Sequence, residues 1–72
     1  MTKYEYATIY LFQGIGGRTT LNLPGRAEEK YPGNMTEVTR LLNLLGYEGW
    51  QLVTSSSGEA TMTIWTLQRV LA

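Results

Sequence analysis

A helix that stops at a glycine and turns straight into a tryptophan-led strand constrains this chain more than any other feature. The segment is Leu41-Leu42-Asn43-Leu44-Leu45-Gly46-Tyr47-Glu48-Gly49-Trp50-Gln51-Leu52-Val53. Val38, Leu41, Leu42 and Leu45 recur at helical spacing and make one apolar stripe, with Leu44 at its edge. Asn34 is placed to cap the start, and Glu37 three residues on completes a capping-box pattern. Gly46 reads as the left-handed residue that ends the helix. Trp50–Thr54 then reads as a strand.

The rest of the chain supplies strands. Lys3 to Phe12 is rich in Tyr, Ile, Thr and Phe and is interrupted by neither Pro nor Gly. Alternation puts Tyr4, Tyr6, Thr8, Tyr10 and Phe12 on one side, with Glu5, Ala7, Ile9 and Leu11 on the other. Gly14-Ile15-Gly16-Gly17 is a turn, and Arg18 to Leu23 a second strand ended by Pro24-Gly25. Arg26 to Gly33, with its mixed charges, reads as a solvated loop. After the helix, Ser55-Ser56-Ser57-Gly58 reads as a turn and Glu59 to about Val70 as the last strand. The expected fold is α+β, a single domain over residues 1–72. It is a four-stranded antiparallel sheet in the order ββαββ, with the helix packed on one face.

Size makes self-association the natural remedy for a thin core. A chain of 72 residues buries only about 60% of the surface its unfolded form exposes. Small domains compensate with disulfides, metals or oligomerisation. Cysteine and histidine are both absent, which excludes disulfides and leaves a structural zinc without its usual ligands. The uncovered face of the sheet would carry several of Tyr4, Tyr6, Tyr10, Phe12 and Trp65. That is more apolar surface than a monomer normally exposes. A homodimer or higher homo-oligomer packed sheet to sheet would bury it.

Function classes narrow by elimination. The net charge is zero and the six basic residues are scattered, so no patch suits a nucleic-acid polymer. The longest apolar run falls far short of the roughly 20 residues that span a bilayer, and the N-terminus lacks the apolar core of a signal peptide. The chain therefore reads as soluble and cytoplasmic. Without His, Cys or Asp there is no familiar catalytic triad, no thiol nucleophile and no usual metal triad. Glu28 and Glu29 are merely adjacent in a loop, so no catalytic residue, metal or cofactor is assigned.

Two readings of binding remain. Gly16, Gly17 and Arg18 could cradle an anion, because glycines let backbone amides approach it and arginine offers a forked donor. Arg26 could converge on the same ligand. The loop joins two strands and opens no helix, so a plain hairpin turn explains the glycines as well. The aromatic face could stack a nucleobase, although a subunit interface explains the same residues without a ligand. Trp50 reads as a core anchor and Glu48 as an exposed turn residue.

Two segments resemble a small bacterial and phage family of unknown function. Its members open on a Tyr-Glu-Tyr strand and carry Leu-Asn-x-Leu-Gly-x-Glu-Gly-Trp-Glu-Leu-Val after a short helix. The matching residues here are Tyr4-Glu5-Tyr6 and Leu42 to Val53, and the closing strand ending in Arg69 is also similar. Gln51 stands where the family usually has Glu, and the Gly14–Gly33 middle is longer. The resemblance implies the fold and no activity. It also makes a phage-type role conceivable, in which an oligomer sequesters a small anionic, nucleotide-like signal without chemistry. The alternative is a regulatory adaptor that docks a protein on the aromatic face or an exposed sheet edge.

Overall fold

In the computed structural model, which describes residues 1–59 and 61–71, one helix packs on one face of an antiparallel sheet. The elements are β1 (Tyr4–Phe12), β2 (Arg18–Asn22), β3 (Glu29–Pro32), α1 (Met35–Tyr47), β4 (Gln51–Glu59) and β5 (Met62–Val70). The α+β class is as the sequence implies, but the sheet has five strands, not four, in the order β3-β2-β1-β5-β4. The aromatic strand β1 is therefore central, paired with β2 on one side and β5 on the other.

The additional strand comes from the segment expected to be a polar loop. Tyr31 lies in register with Thr19 of β2 and packs against the core from the sheet's edge. The Thr19 hydroxyl donates to the Pro32 carbonyl at 2.8 Å, and the Tyr31 hydroxyl donates to Glu29 Oε1 at 2.5 Å. That bond and partial burial hold the phenol above its ordinary pKa. An edge strand needs only one buried side chain and tolerates a terminal proline. Its charged composition therefore disguises it.

The helix obeys its own sequence at the start and corrects it at the end. Asn34 Oδ1 accepts from the Glu37 amide at 2.8 Å. The reciprocal half of the capping box is not made, because the Asn34 amide bonds Pro32 O and the Glu37 carboxylate turns to Arg40. At the other end Gly46 stays helical, and the left-handed residue is Gly49, at φ 90°. The Trp50 amide reaches back to Leu45 O at 3.0 Å and the Gly49 amide to Gly46 O at 3.1 Å. Those two bonds form a Schellman motif, which satisfies the last carbonyls and aims Trp50 into the core.

Ser55–Gly58 is likewise not a turn. It continues β4, with Ser55, Ser56 and Ser57 in register with Trp65, Ile64 and Thr63. Register shifts after Leu52 and after Ser57 mark two bulges. A serine-rich run carries turn-like composition, but pairing to a well-formed neighbour decides its backbone.

The core is the layer between α1 and the sheet. Val38, Leu41 and Leu45 of the helix bury against Ala7, Ile9, Leu11, Leu21 and Leu67, and Trp50 closes the end.

Candidate functional site

With Ala7, Ile9 and Leu11 turned to the helix, strand alternation sends Tyr4, Tyr6, Thr8, Tyr10 and Phe12 to the opposite face. No described element covers that face. Tyr4, Tyr6 and Tyr10 are 43%, 55% and 36% exposed, and Phe12 is half-buried. β5 adds Val70, Ile64 and Met62, in register with Tyr4, Tyr10 and Phe12. A polar band crosses the middle, where Asn22 Nδ2 donates to Thr8 Oγ1 at 3.3 Å between Thr66 and β2. The surface is thus two apolar patches separated by amides and hydroxyls.

Trp65 does not belong to this face. It lies in register with Ile9, two residues from buried Leu67, and packs against the core on the helix side. The parity of β5 is set by Leu67, and Trp65 shares it.

The anion-binding group is only partly assembled. Arg18 stands on the open face, in register with Phe12 and Pro32, and joins the turn that holds Gly16 and Gly17. It makes no ion pair among the described residues. Arg26 lies beyond the far end of β2, 4.0 Å from Glu29. Strand rise alone separates the two ends of β2 by about 13 Å. The Gly17 amide is also committed, donating to Gly14 O at 2.9 Å, with Gly16 at φ 74° closing the turn. Arg18 and Arg26 are therefore not brought to one ligand within a single copy.

Gly33 answers to packing. A Cβ on Gly33 would lie 2.6 Å from the Arg18 backbone nitrogen and 2.7 Å from the Gly17 carbonyl carbon. Backbone cannot yield as a side-chain tip does. Gly33→Ala should therefore cost about 1–3 kcal/mol by overpacking. Urea unfolding checks this; an unchanged midpoint would mean β3 does not sit against the β1–β2 turn as described.

A second cluster, missed by local reading, joins residues distant in sequence. Arg69 Nε and Nη2 lie 3.0 and 2.9 Å from Glu5 Oε2, and Nη1 donates to the Glu48 carbonyl at 3.2 Å. The same guanidinium stacks over Trp50, 4.4 Å from the ring centroid. Glu5 belongs to the Tyr-Glu-Tyr segment, and Glu48, Gly49 and Trp50 belong to the Gly-Trp segment. The motif residues thus converge on a clamp that fastens the helix end to the sheet.

Comparison with known protein families, with curated proteins and with solved structures finds no match. Among the described residues no three acidic or imidazole groups are grouped to hold a metal, and no helix is long and apolar enough to cross a membrane.

Proposed function

We propose that this chain is a non-enzymatic, homo-oligomeric binding module whose open sheet face forms the subunit contact. The observation that carries the proposal is the uncovered strip of Tyr4, Tyr6, Tyr10 and Phe12 along the central strand, flanked by Ile64, Met62 and Val70. Aromatic anchors beside aliphatic neighbours are what protein contact surfaces concentrate. A ligand reading is supported at one place on this face. Arg18 lies beside the glycine turn and could meet a small anionic, nucleotide-like ligand at the subunit seam. Arg26 contributes only if a second copy supplies it from its own β2–β3 connection.

Native mass spectrometry tests the contact. The wild-type chain should run as a closed multiple of the chain mass. Tyr6→Glu and Tyr10→Glu, which place carboxylates on the face without touching the helix-side core, should reduce that mass. Arg18→Ala should keep the assembly and release any bound anion. A wild-type monomer at micromolar concentration would overturn the reading.

The polar band through Thr8, Asn22, Thr66 and Gln68 favours a second reading, an adaptor that docks another protein on the same face. Surfaces that associate reversibly are no more apolar than the protein exterior. On that reading Tyr6→Glu abolishes binding of the partner and leaves the mass of the chain unchanged.

A further inference from the structure

The two edges of the sheet are built differently. β3 is four residues long, ends in Pro32, and carries Glu29 and Lys30, each within 4.0 Å of an opposite charge. Short length, charge and proline are what protect a sheet edge from pairing. β4, the other edge, has nine residues, and Gln51–Gly58 contains neither a charge nor a proline. Every side chain from Gln51 to Ser57 is exposed, whichever face it occupies. No described segment pairs with the outer side of this strand. Between the two bulges, Thr54–Ser57 stays in unbroken register with Thr66–Thr63 of β5.

We propose that β4 pairs antiparallel with β4 of a second copy, about a twofold axis within Thr54–Ser57, joining two sheets edge to edge. Two observations select a second copy over a foreign strand. A twofold axis sets the segment against its own reverse, and an uncharged run brings no like charges together, while Thr and Ser hydroxyls pair well across strands. Strand addition gains specificity from pockets that read alternate side chains, and a run of one Thr and three Ser reads nothing. Another copy presents the identical edge in a register its own bulges define.

This contact does not depend on the open-face contact. If both form with perpendicular, intersecting axes, the two twofold contacts close a tetramer with dihedral symmetry.

The test uses the full chain, with native mass spectrometry, light scattering and backbone amide exchange. Ser55→Lys/Ser57→Lys adds the usual edge guard on the helix side, in register with Trp65 and Thr63 and away from the open face. It should halve the assembly mass, leave the far-ultraviolet circular dichroism unchanged, and speed exchange of those Thr54–Ser57 amides that point away from β5 at least about tenfold. Tyr6→Glu reports on the open face alone. A wild-type assembly split by the lysine pair but not by Tyr6→Glu supports the edge contact and removes the face contact. The reverse pattern overturns the edge contact and keeps the other. Should the lysine variant fail to fold, dilution of the wild type decides. Slow exchange of the outward-pointing Thr54–Ser57 amides that is lost on dilution supports the pairing, and fast exchange of those amides at every concentration overturns it.

Discussion

Leu41→Ala should leave the isolated chain largely unfolded at 25 °C. Leu41 is 0% exposed, in the middle of the helix stripe between Val38 and Leu45. Truncating a fully buried leucine removes its transfer free energy and leaves a cavity, at about 2–5 kcal/mol. A core of this size supplies rarely more than about 3–5 kcal/mol in total. The loss is therefore comparable with the whole stability. Leu44, on the same helix and 46% exposed, is the internal control. Leu44→Ala should stay within about 0.5 kcal/mol of wild type, and Leu41→Met, which keeps the volume, should cost less than about 1.5 kcal/mol. Urea titrations followed by circular dichroism separate the three variants. They should be run at several protein concentrations, because association would raise the apparent stability with concentration. Equal midpoints for Leu41→Ala and Leu44→Ala would mean that the helix is not seated on the sheet through this stripe.

What the sequence declares, it declares locally. The Leu41–Leu45 stripe, the Asn34 cap and the alternation of β1 each lie within a few residues, so their physics is visible in a short window. The two misread strands share one cause. β3 and the Ser55–Ser57 part of β4 are strands because a neighbour pairs with them, and their own composition argues for loop and turn. Recognising β3 also changes the candidate site. Once Glu29–Pro32 folds back on β2, Arg26 sits at the opposite end of that strand from Arg18, and the expected anion cradle loses half its cations. The sequence reading puts Trp65 on the open face and the structure puts it on the helix side, because an alternating strand does not say which parity faces the helix. Leu67 settles that only when its burial is known. The unguarded edge of β4 could have been read from its missing charges, but only after its place at the sheet's end was known.

The clamp at Arg69 gives the second large effect and explains why residues so far apart in sequence belong together. Arg69 and Glu5 are in register across β5 and β1, and their side chains remain 35% and 21% exposed. Water therefore screens the ion pair, and charge alone is worth only part of a kcal/mol. Two further terms add to it. The guanidinium caps a carbonyl at the helix C-terminus, where the helix dipole favours a cation, and it stacks on the ring of Trp50. Removing all three with Arg69→Leu should cost about 2–3 kcal/mol, nearer the upper end if Glu5 is left without a donor. Glu5→Gln, which removes the charge and keeps an acceptor, should cost less than about 1 kcal/mol, and the coupling between the two sites in a double-mutant cycle should be no larger. Arg69→Lys is the decisive variant. It keeps the charge but has neither the forked donors nor the flat face, so it should recover less than half of the loss. In a Trp65→Phe background the emission of Trp50 should shift with Arg69→Leu and Arg69→Lys alike, because both remove the stacked plane. A lysine variant with wild-type stability and emission would reduce Arg69 to a surface charge and leave the Trp50 contact without energetic weight.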